Sequence, residues 1–380
     1  MKNTVSVIYP VKDTVLSGKV LLFKSLYDWL SDAAMDAGIT SVTPSGNGEP
    51  PYGEHIFFAS AHYPFIDSEL INKSFDAHIS SEFKITAICS TEQDSVAAAW
   101  VCRSALEDKD LSAQNLDELL EALSSRDIKS GCFIEDQDTL LFPVHCTRDL
   151  HLANSAARLA VIDRAIDSGA VIMCSDGIII SPDAVIKEGA TILPGSIIRG
   201  KSVIGENAVI GPNSVIDNSE IGAETVINAS HITDSTVGTG TKIGPFTQLR
   251  PNSHIGNGVK IGDFVEIKNS TVGDCTSVAH LTYIGDSDVG RRVNFGCGTV
   301  TVNYDGKNKY RTQIDDFAFI GCNSNLIAPV KVGKNAYTAA GSTVTSDVPD
   351  DSLYICREKD ERIIDGWVEK RIGKRRCEEE

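Results

Sequence analysis

The chain is predicted to fold as an α/β layer domain followed by a left-handed parallel β-helix. Three observations lead there. From Ala190 the sequence falls into hexads, ATILPG, SIIRGK, SVIGEN, AVIGPN, SVIDNS and EIGAET. After two shortened steps it resumes as TVGTGT, KIGPFT, QLRPNS, HIGNGV and KIGDFV. The first 150 residues instead alternate apolar runs such as VSVIYP and HIFFAS with helical stretches such as NLDELLEALSS. Between the two tracts, NSAARLAVIDRAIDSG reads as a connecting helix.

The hexads determine the second architecture. An aliphatic residue recurs every six positions at Ile197, Val203, Val209, Val215, Ile221 and Ile227, and again at Val237, Ile243, Leu249, Ile255 and Ile261. Such a period describes a coil of three short flat strands, each sending one aliphatic side chain inward, with turn-tolerant residues at the corners. A β-sandwich would show a period of two with irregular turn spacing. Between Thr301 and Ile314 the repeat gives way to VNYDGKNKYRTQ, a loop thrown out from one face, and loops of this kind carry binding groups. The N-terminal alternation of strand and helix signals predicts a mainly parallel sheet. The boundaries expected are an α/β domain over 1–150, a connecting helix over 151–172, the β-helix over 173–358 and a basic C-terminal arm over 359–380.

Composition narrows the class of partner. The 380 residues suffice for about two domains, and 42% hydrophobic with 23% charged content is ordinary for a globular chain. A net charge of -17 argues against nucleic acid, because a phosphate backbone rewards clustered Lys and Arg. It leaves room for a small anionic ligand held by a local basic cluster. No stretch approaches the roughly 18–20 apolar residues of a membrane span. The N-terminal MKNTVSVIYPVKDT lacks an export segment, and the ten cysteines form no C-x-x-C pair. Reduced thiols in a cytoplasmic protein are therefore expected. PSGNGEPPYG, at 44–53, is a loop by composition.

The stretch from Gly244 to Trp367 carries GPFTQLRP, GDFVEIKNS, AHLTYIGD, VNFGCGTVTVNYDG, NKYRT, and ICR followed by DGW. In order and spacing these strings resemble the acetyltransferase half of the bifunctional GlmU family. Those bacterial enzymes join glucosamine-1-phosphate N-acetyltransferase to N-acetylglucosamine-1-phosphate uridylyltransferase, and the hexads before Gly244 resemble the family in pattern. The resemblance implies acetyl transfer from acetyl-CoA to the amine of glucosamine 1-phosphate, in UDP-N-acetylglucosamine synthesis for the bacterial envelope. It makes His280, in AHLTYIGD, the general base, since imidazole titrates near the working pH. Alone, a histidine is more often structural.

By the same resemblance Arg250, Lys268 and Tyr283 match binders of the sugar phosphate, a role that suits a guanidinium fork beside an ammonium. Lys309 adds a further charge. Glu266 and Asn294 match residues that orient the sugar and its amine. Asn303, Tyr304, Cys297, Cys322, Ala340 and Arg357 fall at acetyl-CoA positions. The family has small residues where Cys297 and Cys322 stand, which matters little if those contacts run through backbone groups. A cysteine acetyl carrier is not required, because direct transfer needs only the base and a backbone donor for the oxyanion. The family also implies a homotrimer, and no metal for acetyl transfer.

The N-terminal tract resembles the uridylyltransferase half only faintly, through LSGKVLLFKSLYDWLSDAAMDAGITSV, HIFFASAHYPFIDSELI and ANSAARLAVIDR. It reads as a degenerate Rossmann-like nucleotidyltransferase domain. VSVIYPVKDTVLSGK contains no G-x-G-T-R string to cradle a triphosphate, and His62 stands where a metal-binding aspartate is expected. Asn154 corresponds to a metal-side asparagine. Loss of uridylyl transfer is the expectation. The competing readings are a still-bifunctional enzyme, an acyltransferase for another amino sugar and a non-catalytic scaffold or sensor. A zinc site built from His231, His254 and His280 is a fourth, but their spacing does not pair two on one coil face.

Overall fold

A computed structural model describes residues 4–10, 16, 19–45, 53–91, 95–136 and 140–356. Arg357, the DGW string, the basic arm, most of VKDTVLSGK and most of PSGNGEPPYG lie outside the described residues. Two compact units are present. One is essentially the first 168 residues with two short later segments, and the other is the remainder.

In chain order the first unit contains β1 (Thr4–Tyr9), β2 (Val20–Leu21), β3 (Lys24–Ser25), α1 (Leu26–Asp36), β4 (Val42–Pro44), β5 (His55–Ser60), α2 (Ser68–Ser80), β6 (Ile85–Ser90), β7 (Val96–Cys102), α3 (Leu116–Ser124), β8 (Ser130–Glu135) and α4 (Thr147–Asp167). Six strands form one sheet in the order β4-β1-β5-β7-β6-β8. The expected parallel arrangement holds for β4, β1 and β5 and for β6 and β8, but β7 runs antiparallel to both neighbours. The connection explains the reversal. Five residues separate β6 from β7, too few for a parallel return, which needs a crossover of a dozen residues or more. Helix starts follow local chemistry, with Ser25, Asp67 and Asn115 each accepting a backbone N–H of the first turn. Leu116, Leu119 and Leu123 line one stripe of α3 and pack against Val5, Ile56, Phe58 and Val101 of the sheet.

The second unit is a left-handed parallel β-helix. Its strands fall into three parallel sheets, and up to the final coil each strand pairs with the one three steps further along the chain. Val203 pairs with Glu220, Val209 with Val226 and Val215 with His231, so each coil sits directly on the last. The interior column runs through Ile198, Ile204, Ile210, Ile216, Ile221, Ile227, Ile232, Val237, Ile243, Leu249, Ile255 and Ile261, all buried.

This corrects the phase read from the first hexads. Ile197, Val203, Val209 and Val215 are only half-buried, and the residue after each fills the core. In SIIRGK and SVIGEN both central positions are aliphatic, so the pattern does not choose between them. From TVGTGT onward a polar residue precedes the core position, and the expected residues are the buried ones. Corners hold residues with positive φ, such as Asn207 at 56° and Asn213 at 53°, which asparagine tolerates well. Beside them, buried hydroxyls bind backbone. Thr241 Oγ1 donates to Gly256 O at 2.9 Å and accepts from Val259 N at 3.1 Å.

The two phases predict different substitution costs. Ile216→Ala removes a fully buried side chain and should cost about 2–5 kcal/mol. Val215→Ala should cost less than about 1 kcal/mol, since its side chain is only partly buried outside the core. Urea unfolding of both variants reads the difference, and equal costs would contradict the assigned phase.

Candidate active site

Stacking brings residues 16 to 18 positions apart onto adjacent rungs, and this generates the site. His280 ends the strand Ser277–His280, and Asp263 ends the strand beneath it. The two are register partners, and His280 Nδ1 lies 2.5 Å from Asp263 Oδ1. Gly262 permits this, because a Cβ there would overlap the Ala279 carbonyl oxygen. The hydrogen bond from His280, foremost, holds the Asp263 carboxyl below its ordinary range. With Nδ1 engaged by the carboxylate, Nε2 is the ring nitrogen left to meet a ligand. The His280 side chain is 58% exposed, so that nitrogen is accessible.

Three residues further along the coil a polar cluster begins. Glu266 and Tyr283 are register partners, as are Lys268 and Gly285. Arg250, one coil earlier, donates from Nη1 to Glu266 Oε1 at 2.7 Å. The Tyr283 side chain folds across Gly285, where any Cβ would collide with its ring. Burial, then Glu266 and Asp286, push the Tyr283 hydroxyl up, so it stays a neutral donor. Lys309, from the protruding loop, reaches Lys268. Its hydrogen bond and charge, then burial and Arg250, pull the Lys268 ammonium below its ordinary value. Arg250, Lys268 and Lys309 thus converge as cations at partial mutual expense, which an anion would relieve.

The organising group beneath them is Asp286, 5% exposed. It accepts hydrogen bonds from Asn269 and Asn303. Burial raises its carboxyl, but those bonds together with Lys268 and Lys309 outweigh burial and leave it lowered. Arg311 secures the protruding loop, donating from Nε to Asp288 at 2.9 Å and from Nη1 to Asn269 O at 3.1 Å. Asp263, Asp286 and Arg311 are absent from the sequence-derived set. Each is part of a quoted string (GDFVEIKNS, AHLTYIGD, NKYRT), but only the coil register shows what it faces.

The remaining expected residues divide. The pairings Val278–Phe295, Phe295–Ile320 and Ile320–Thr338 put Cys297, Cys322 and Ala340, each two residues later, along the corner that also carries His280. Asn303 is buried under the cluster, while Tyr304 is exposed and donates from its hydroxyl to Gly306 O at 2.7 Å. Asn294 belongs to another face, pairing with Ser277 and Phe319, so a single chain does not bring it to Glu266. His231, His254 and His280 stand on three different sheets and do not converge. A further feature went unread in the sequence. Phe246, Phe264 and Leu281 occupy successive corners at φ of 58°, 57° and 44°, and all are exposed. The two Phe rings stack at 5.6 Å beside the Asp263–His280 pair.

The cation cluster yields a titration test. Repulsion among Lys268, Lys309 and Arg250 is fully present while Lys268 is protonated, and it is relieved as pH rises through its lowered pKa. Lys309→Met should therefore move the Lys268 titration upward, and Asp286→Asn should move it further down, as followed by NMR of the lysine side chains. An unchanged Lys268 titration in Lys309→Met would contradict the geometry.

The bacterial transferase hexapeptide family (six repeats) matches residues 183–218 and 234–269. The bifunctional protein GlmU of Clostridium perfringens is 57% identical over 127 residues, covering 33% of this chain and 28% of that protein. Its counterpart in Caldicellulosiruptor saccharolyticus is 58% identical over 127 residues, covering 33% and 27%. The chain therefore spans about a quarter of the length of these relatives. Among solved structures, 4-diphosphocytidyl-2C-methyl-D-erythritolsynthase from Anaerococcus prevotii covers 41% of this chain and 98% of its own at 12% identity. Its TM-score of 0.31 is too low to bear on function. Over its β-helix, then, the chain carries the bacterial transferase hexapeptide repeat and is similar to the GlmU proteins.

Proposed function

We propose that the β-helix is an acetyl-CoA-dependent N-acetyltransferase acting on the amine of glucosamine 1-phosphate, within UDP-N-acetylglucosamine synthesis in the bacterial cytoplasm. The carrying observation is the Asp263–His280 pair, five residues before the Lys268–Gly285 pair on the same two coils, where Lys268 feels the charges of Lys309 and Arg250. A base next to an anion site suits a substrate that bears both an amine and a phosphate. In this reading Asp263 holds the imidazole with Nδ1 protonated, and Nε2 takes the proton released as the amine attacks the thioester carbonyl. The C–N bond forms, the carbonyl π electrons move to oxygen, and a backbone N–H near Cys297 stabilises that oxyanion. The tetrahedral intermediate collapses with expulsion of CoA thiolate, which His280 reprotonates. Arg250, Lys268, Tyr283 and Lys309 hold the phosphate, and Glu266 and Asn294 orient the sugar. Tyr304, Cys297, Cys322 and Ala340 face acetyl-CoA, and Asn303 and Arg357 are assigned to it by sequence resemblance alone.

A homotrimer belongs to the same proposal. Bulky residues at positive φ are disfavoured by about 1–2 kcal/mol each, and Phe246, Phe264 and Leu281 are exposed as well. A neighbouring copy covering this corner would offset that strain and bring Asn294 of one chain towards the cluster of another. For the N-terminal domain we propose no uridylyltransferase activity. Asn154 is already committed, accepting from Leu22 N at 3.0 Å and donating to Leu150 O at 2.8 Å. His62 Nδ1 lies 2.7 Å from Val144 O, and its ring packs on His145. Neither His62 nor Asn154 offers a carboxylate oxygen to magnesium.

The test is CoA release from acetyl-CoA and glucosamine 1-phosphate. Wild type should turn over, and His280→Ala should lose about 100-fold or more. Asp263→Asn should lose roughly 10-fold, with a shifted pH profile. Light scattering should find three chains, reduced to one, and inactive, in Phe246→Ser/Phe264→Ser. N-acetylglucosamine 1-phosphate and UTP should yield no pyrophosphate. A folded wild type without turnover would sink the substrate assignment.

A further inference from the structure

The N-terminal unit holds a cluster that acetyl transfer does not use. His55 opens β5 and Cys102 closes β7, and the two are direct partners across the antiparallel pair. His78, in the last turn of α2, comes down onto them and is 1% exposed. His55 Nδ1 lies 3.1 Å from His78 Nε2, and Cys102 Sγ lies 3.7 Å from the first nitrogen and 3.5 Å from the second. Two imidazole nitrogens and a thiol sulfur thus face one point from three separate elements.

Those separations match a coordination polyhedron. Tetrahedral zinc binds nitrogen at about 2.0–2.1 Å and thiolate sulfur at about 2.3 Å, which places donor atoms roughly 3.3–3.6 Å from one another. The observed triangle agrees to within about 0.3 Å on each edge. The other ring nitrogen of His78 is held by Thr86 Oγ1 at 2.8 Å, the kind of second contact that orients a ligating imidazole. Phe75 and Trp100 wall the cluster, the former 5.6 Å from the His55 ring and the latter 6.4 Å from the His78 ring. Among the described residues no fourth His, Cys, Asp or Glu joins the group.

We propose that His55, His78 and Cys102 form a zinc site, with the fourth position left to water. A nitrogen and thiolate set of this kind favours zinc over magnesium or calcium, which take oxygen ligands. The site ties α2 to the two strands that meet at the middle of the sheet, so metal binding stabilises the N-terminal unit. It is independent of acetyl transfer.

Untagged full-length protein, stripped by a chelator and dialysed, is titrated with Zn²⁺ alone and with Co²⁺ alone. One equivalent should bind, Co²⁺ should develop a thiolate-to-cobalt absorption band, and Zn²⁺ should raise Tm. Cys102→Ser should abolish the band, while Thr86→Val should keep it but weaken binding by about 10–100-fold. CD of each variant separates ligand loss from unfolding. No binding by stripped wild type up to about 1 mM, cobalt binding without the band, or binding unchanged in Cys102→Ser would each overturn the site. Acetyl-transfer activity is not among the readouts, so failure of that reading leaves this test intact.

Discussion

Everything functional in the second half of this protein depends on the stacking of one coil upon the next. The interior column of Ile, Val and Leu leaves no freedom in that register. Shifting a strand by one residue would bring a polar or half-exposed side chain inward and expel a buried one, at about 1.5–3 kcal/mol for each large aliphatic. Backbone bonds between coils lock it further, for instance Lys260 N to Thr276 O and Leu281 N to Asp263 O. Once the register is set, sequence spacing becomes spatial adjacency. Asp263 meets His280, Glu266 meets Tyr283, and Lys268 sits over Gly285. The chemistry is therefore an outcome of core packing.

How much of this the sequence discloses depends on what each residue faces. The hexads reveal the coil because the core repeats at short range. They leave its phase ambiguous where two aliphatics stand together, as in SVIGEN, and resolve it where KIGDFV supplies a lysine. His280, Arg250, Lys268 and Lys309 are legible through strings resembling a known family. Asp263 and Asp286 are not, since an aspartate within a turn-rich repeat looks like ordinary corner chemistry. Their identity as partners of His280 and of Asn269 and Asn303 comes only from residues a coil away. The same holds for Phe246 and Phe264, whose positive φ no local pattern announces.

The N-terminal unit obeys different rules. Its sheet is built from strands whose order depends on connection length, and the hairpin formed by β6 and β7 reverses one strand of an otherwise parallel set. That reversal brings the end of β7 opposite the start of β5, and so Cys102 opposite His55. Nothing in the sequence marks this pairing, because the three residues of the cluster are 23 and 24 positions apart along the chain. The residues that would recommend the unit as a nucleotidyltransferase are meanwhile absorbed into packing. His62 lies against His145 and Asn154 bonds backbone.

The proposed activity requires that stacked coils assemble a phosphate site next to a base. Comparing kcat/KM for glucosamine 1-phosphate with that for glucosamine, in wild type and in Arg250→Ala, tests it most directly. Charge-assisted hydrogen bonds contribute about 1.5–3 kcal/mol each. Two of them predict a preference of about 100-fold or more for the phosphorylated sugar, most of it lost in Arg250→Ala. Equal kcat/KM for the two sugars in wild type would contradict the account.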